Sequence, residues 1–370
     1  MKLILTDEQK ELGASVRAFL ADTSPMSRVR EIAESDLPYD RGTWTRMTRE
    51  LDLAALAVPE EHNGAGAGHT EVAVVMEELG ASLAPTPYLA SAVLATNVLL
   101  QSGDTDAIKD LLPAIASGEK IATFAIPVPG DETPGARKTG TGYELTGSSP
   151  RVLNGADADL ILVAATLADE AKDGYAPISL FAVDASEGFT REPLTTLDLT
   201  RPQAALTFEA TPARQIGPSD ATEAITRALD LASVALAAEQ LGGLRRCLDT
   251  IVEYAKLRVQ FGRFVGSFQG VKHKLADMHC TLEQAESVVR YAAWAADESP
   301  EELPVAAALA QSYLGKAYFQ VAKDHLLLHG GIGFTWEHDA HLYYKRAKSA
   351  ELLLGPPRHH RARLAERLGI

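Results

Sequence analysis

A chain of 370 residues that is 46% hydrophobic and 23% charged can bury large cores in more than one layer. Its formal charge of −15 argues against a nucleic-acid ligand, because neutralising phosphates needs a basic face. A smaller anionic ligand is still possible, since it needs only a local basic patch or a helix N-terminus. The N-terminal MKLILTDEQKELGASV soon turns charged, unlike a signal peptide, and no apolar run reaches the roughly 20 residues that span a bilayer. The expectation is a cytoplasmic protein with no membrane association. Cys247 and Cys280 both fall in apolar helical patterns and read as buried, reduced thiols without metal-site spacing.

Residues 1–122 read as an N-terminal helical domain. Thr6-Asp7-Glu8 resembles a cap with an acidic first turn, and Leu12, Val16, Phe19 and Leu20 then recur at helical spacing. The turn-rich Pro59-Glu60-Glu61-His62-Asn63-Gly64 breaks the pattern. Helix resumes over residues 70–83, stops at Pro85 and Pro87, and returns over 88–100. From residue 123 to 217 the period changes. Short apolar or alternating runs at 121–128, 142–146, 158–166 and 178–183 are separated by Gly, Pro, Asp and Ser clusters, which predicts a middle β domain. Residues 218–370 return to helix, with segments predicted at 222–252, 267–296, 303–328 and 342–354 forming a C-terminal four-helix bundle. The fold class is α+β in the order α–β–α.

Three motif segments accompany that order. LDLAALAVPEEHNGAGAGHTEVAVVMEELGASLAPTPY covers residues 51–88, YAKLRVQFGRFVGSFQGVKHKLADM covers 254–278, and HGGIGFTWEHDAHLYYKRAK covers 329–348. With these features the chain resembles the acyl-CoA dehydrogenase family over nearly its whole length. The resemblance implies a tetramer of such subunits, each binding FAD and oxidising an acyl-CoA thioester to a 2,3-enoyl-CoA in lipid metabolism. It also implies that electrons leave to an electron-transfer flavoprotein. In the family each FAD crosses a subunit boundary. One subunit's β domain cradles the isoalloxazine, and the neighbour grips the pyrophosphate and adenosine. By resemblance Arg258 meets the pyrophosphate, where a guanidinium fork suits the anion, and Phe261 and Gln269 lie beside the adenine end. Gly330, Gly331 and Gly333 match the glycine turn that lets backbone approach the phosphates. Leu327 stands where a glutamine is usual.

The β half of the flavin site departs further from the pattern. Residues 126–131, Ile-Pro-Val-Pro-Gly-Asp, replace the family's Thr-Glu-Pro-x-Ala-Gly-Ser-Asp run. Arg151 replaces a tryptophan that lies against the flavin. Leu153 replaces a threonine, and leucine cannot hydrogen-bond a flavin ring atom.

The base is missing from both of its usual places, which hold Leu354, before Gly355-Pro356-Pro357, and Ala232 on the earlier helix. The carboxylate on that helix that points to a similar face is Glu239, displaced from Ala232 by about 10 Å along the axis, whereas Asp230 is rotated about 200° from Ala232 and points away. Proton abstraction needs about 3 Å, so Glu239 acts only on a differently seated substrate; otherwise it is a capped or salt-bridged helix residue. His359 and His360 follow the lost base in a segment that Pro356 and Pro357 mark as a turn, and they read as surface residues. Small residues such as Ala232, Gly242 and Gly243 leave room for a bulky acyl group.

Three readings follow from the resemblance. In the first, the chain is the base-less subunit of a heteromeric enzyme, similar to actinobacterial α₂β₂ dehydrogenases acting on CoA thioesters of steroid side chains. In the second, it is a homo-oligomer using Glu239. In the third, it is a flavin-free scaffold.

Overall fold

The computed structural model describes residues 3–127, 132–140, 142–167, 176–184 and 188–370. Helices α1 (Asp7–Thr23), α2 (Met26–Ala33), α3 (Arg41–Glu50) and α4 (His69–Ser82) open the chain, and a π-helical run at Leu89–Ala95 leads into α5 (Thr96–Gln101) and α6 (Thr105–Ala116). Strands β1 (Ala122–Ala125), β2 (Gly135–Lys138), β3 (Tyr143–Leu153), β4 (Leu160–Leu167), β5 (Ile178–Asp184), β6 (Phe189–Pro193) and β7 (Gln203–Ile216) follow. The chain then forms α7 (Thr222–Leu257), a hairpin of β8 (Val259–Gln260) and β9 (Arg263–Phe264), α8 (Gln269–Glu298), α9 (Leu303–Leu328), α10 (Ala340–Leu353) and α11 (Pro357–Leu368). The order is an N-terminal helical, a middle β and a C-terminal helical region. Of the β-region text singled out in the sequence, residues 128–131 lie outside the described residues.

Contacts divide the chain into two compact units, residues 1–30, 69–84 and 233–370 in one and 31–68 and 85–232 in the other. In the second unit the ladder closes on itself. β4 pairs with β1 and β2 on one side and with β5 on the other, while β2–β3–β7–β5 completes the ring. Closure leaves no open edge between those strands. β4 is buried along almost its whole length, which is why its text is continuously apolar rather than alternating. The π-helical run is fully buried, and its Ser91 hydroxyl accepts the Ala122 N–H of β1 at 3.1 Å.

In the first unit α1 begins as its sequence predicts. Thr6 and Gln9 form a reciprocal capping box. The N-terminus of α4 is capped from far away in sequence, with Asp297 of α8 accepting the N–H groups of His69 at 2.6 Å and Thr70 at 2.9 Å. Helices α4 and α7 cross at two glycines. A Cβ on Gly80 would sit 2.0 Å from the Glu239 carbonyl oxygen, and one on Gly242 would sit 1.8 Å from that of Glu77. At Gly243 the Tyr318 ring fills the missing side-chain space. The expectation that Gly242 and Gly243 make room for a substrate is therefore corrected, because the space is taken by neighbouring helices.

Charges are buried at the same crossing. Glu77 pairs with Arg290 and with Arg245 at 3.1 Å, and Glu286 closes the network on both arginines. Two further expectations change. Cys280 is exposed, since the first half of α8 faces outward, whereas Cys247 is buried as predicted. Pro357 does not make a turn but starts α11 at a position where proline's fixed φ and missing N–H cost nothing. His360 is consequently buried rather than on the surface.

Candidate functional site

The C-terminal end of α7 runs directly into a two-residue hairpin loop, Phe261-Gly262, between the paired residues Gln260 and Arg263. Both loop residues have positive φ, +53° at Phe261 and +76° at Gly262, the geometry that two-residue hairpins with right-handed twist require. Glycine adopts it freely, but an aromatic residue does so under strain of roughly 1–2 kcal/mol. Phe261 is also 92% exposed, touching the edge of the Phe268 ring at a centroid distance of 6.3 Å. Strain and exposure on one large apolar side chain point to a role outside the isolated fold.

The hairpin forms one wall of a cleft of about 340 Å³ whose other wall is the glycine turn after α9. Tyr254, Arg258, Phe261, His329, Gly330 and Gly331 are among its lining residues. Arg258 follows the last residue of α7 and is exposed. Its carbonyl accepts the Val265 N–H at 2.8 Å, which ties it to the far side of the hairpin. Gly330 has φ +68°, and a Cβ on either Gly330 or Gly331 would meet nothing within 4 Å, so their backbone is open to a ligand.

The structure therefore brings Arg258, Phe261, Gly330 and Gly331 to one cleft. Gln269 starts α8 as an exposed residue and does not line it. Gly333 is buried for a different reason, since a Cβ there would lie 2.4 Å from the Leu326 carbonyl oxygen. It makes the turn possible without facing a ligand. A cationic guanidinium, open glycine backbone and an aromatic wall fit the pyrophosphate and base end of a dinucleotide. Leu257, Phe264, Leu327 and Ile332, each next to a lining residue in sequence, are exposed, as are Phe334 and Trp336.

The proposed bases are placed differently. Glu239 is buried on α7, with its Oε1 2.6 Å from Nη1 of Arg346, itself buried on α10. Leu354 follows the last residue of α10 and is half-buried, and Ala232 is completely buried. His360 and His359 sit below Gly355, where a Cβ would meet the His359 ring at 2.8 Å. Burial lowers the His360 pKa to about 4.

In the β unit Arg151 is exposed at an irregularity in the β3–β7 register, between Ser149 and Val152. Leu153 is buried, and its carbonyl accepts the Thr123 hydroxyl at 2.5 Å. Its apolar side chain serves the strand core and cannot replace the family threonine's hydroxyl. Among the described residues no group of three or more His, Cys, Asp or Glu is arranged to hold a metal ion, and no helix is long and apolar enough to cross a membrane.

Sequence reading missed two features of this site. The Phe261-Gly262 loop carried a weak turn signal in its glycine, but nothing in a phenylalanine announces a positive φ. The second is a stack of histidines beneath the glycine turn, whose members are too far apart in sequence to stand out as a motif.

Two family models match the chain, acyl-CoA dehydrogenase N-terminal domain over residues 6–119 and acyl-CoA dehydrogenase C-terminal domain over residues 222–369. Acyl-CoA dehydrogenase IpdE2 of Mycolicibacterium smegmatis is 34% identical over 97% of this chain and 98% of its own length. Its namesake in Mycobacterium tuberculosis is 36% identical over 95% and 94%. Among solved structures the ChsE4–ChsE5 complex from Mycobacterium tuberculosis superposes with a TM-score of 0.90 at 30% identity, covering 100% of this chain and 99% of the other. A Tcur3481–Tcur3483 steroid ACAD variant superposes with a TM-score of 0.88 at 30% identity over 98% of each chain.

Proposed function

The chain belongs to the acyl-CoA dehydrogenase family, FAD-dependent oxidoreductases acting on the CH–CH bond of acyl-CoA, and from that premise we propose that it is one subunit of a heteromeric enzyme whose partner supplies the base. In this reading Arg258 pairs with the pyrophosphate, Gly330 and Gly331 let it approach backbone, and Phe261 packs at the adenine end. Bound FAD supplies the acceptor for hydride leaving the substrate's β-carbon. This chain's residues bind and orient that group, and the partner's carboxylate removes the α-proton. Electrons leave the assembly to an electron-transfer flavoprotein.

One contrast carries the proposal. The cleft that would serve a neighbour's flavin is formed and open, while Glu239, the carboxylate considered as a displaced base, is buried against Arg346. Ala232 and Leu354 have no proton-accepting group. The similar two-chain complexes, one of them described as a steroid ACAD, add support and suggest a CoA thioester with a bulky, steroid-derived acyl group.

The test is to purify the chain alone and with a dehydrogenase chain carrying the glutamate, then record visible spectra before and after acyl-CoA. Flavin bleaching by the pair and none by the chain alone is expected, and Glu239→Gln should leave bleaching by the pair intact. A yellow isolated chain that acyl-CoA bleaches, and that Glu239→Gln silences, would replace this proposal with a self-sufficient enzyme.

A further inference from the structure

The glycine turn rests on a stack of histidines that the proposed reaction does not use. His325 and His329 lie one helical turn apart at the end of α9, edge to face, with ring centroids 4.6 Å apart. His329 lies 4.2 Å from His338, on the segment that leads into α10. Tyr254 of α7 covers His329 at 4.5 Å and donates its hydroxyl to the His329 carbonyl at 3.3 Å. Nδ1 of His329 sits 2.8 Å from the His325 carbonyl, so that nitrogen carries the proton. Nδ1 of His338 accepts the Ala340 N–H, the first amide of α10, at 3.1 Å. His325 is buried with neither ring nitrogen bonded.

We propose that this stack positions the glycine turn of the dinucleotide cleft, and that a proton on His338 releases the turn. The inference rests on reading the cleft as a phosphate-end site. Protonation has three costs at one atom. Nδ1 can no longer accept from Ala340, so α10 loses its first N–H partner. The new charge sits at the positive end of the α10 dipole. It also faces Arg30 of α2, which is held in place by Asp339 at 2.7 Å and by the Trp336 carbonyl at 2.7 Å. Asp339 opposes these effects, but it already pairs with Arg30.

Among the described residues the stack is also flanked by Arg246 of α7, Tyr343 of α10 at 6.2 Å from His325, and His341 against Trp336. None of them is a free carboxylate able to stabilise an imidazolium. Burial lowers the pKa of His329 and of His338, and burial with the neighbouring rings lowers His325 to about 3. The folded state therefore holds fewer protons than the open one. Closure is fully present above the ordinary imidazole value near 6.5 and is lost as pH falls. Because His329 lines the cleft directly, motion at His338 reaches the ligand through one ring contact.

Amide exchange of residues 329–340 in the full chain, normalised to the intrinsic rate and read at about pH 8 and about pH 5.5, tests the proposal. Protection should fall roughly tenfold or more at the lower pH. His338→Asn, whose side-chain oxygen can still accept from Ala340 but cannot take a proton, should show a clearly smaller fall, the remainder coming from the buried His329. Affinity for ADP-ribose, whose pyrophosphate does not titrate in this range, should weaken in parallel, and more in the native chain than in the variant. Equal native protection at both pH values, or the same loss in His338→Asn, would overturn the proposal. If the variant does not fold, the imidazole NMR titration of His338 decides. Proton uptake at the pH of opening supports the proposal, and uptake without opening refutes it. A turn that opens on schedule while ADP-ribose binds at neither pH would sink the dinucleotide reading and leave the proton response standing.

Discussion

Arg258 and Glu239 are both charged residues of the α7 region, and their surroundings assign them opposite work. Arg258 is exposed beside open glycine backbone, so its replacement should leave folding intact and weaken ligand binding. In the assembled enzyme Arg258→Gln should raise the FAD dissociation constant by roughly 10- to 100-fold, as expected for a charge-assisted hydrogen bond, with an unchanged thermal midpoint. Glu239 is the reverse case. Arg346→Met breaks this buried ion pair and should lower the urea midpoint, and the added change Glu239→Leu should restore most of the loss. Loss of flavin reduction without loss of stability in Glu239→Gln would contradict this assignment. The family match of Arg258 was legible in the sequence because its neighbours form a spaced motif. The fate of Glu239 was not, since Arg346 lies 107 residues away.

At the scale of elements, helix positions followed from apolar spacing, and α9 runs from Leu303 to Leu328 as the pattern predicts. Errors arose where one residue type has two structural meanings. Pro356-Pro357 reads as a turn, yet proline at a first helical position starts α11 and buries His360. Gly242 and Gly243 read as space for substrate, yet they admit the Glu77 backbone and the Tyr318 ring. Such contacts depend on which helices meet, and one chain's local pattern carries no record of that. Gly242→Ala should therefore lower stability by several kcal/mol through backbone collision, measured as a fall in the urea midpoint of the isolated chain. The hairpin predicts the opposite sign. Phe261→Asn suits the positive φ and should stabilise the isolated chain by about 1 kcal/mol. The same change should weaken the assembled enzyme's hold on flavin, which separates loop strain from ligand contact.

For the whole molecule, buried neutral histidines set the acid limit. Burial lowers His325 to about 3 and His360 to about 4, below the ordinary imidazole value. Groups depressed in the folded state give stability that is present above about pH 6.5 and lost as pH falls through the folded values, with His325 alone worth on the order of 3–5 kcal/mol. Urea midpoints should be level above neutrality and decline below about pH 6, less steeply in His325→Leu.

The larger claim is a division of labour between two chains, in which this one completes a flavin site but does not hold a flavin of its own. Counting flavins tests it directly. Released FAD should be measured against each subunit in the purified two-chain enzyme. The account predicts one FAD for each pair of chains and none retained by this chain alone. One FAD for every subunit, with this chain keeping its own on separation, would contradict it.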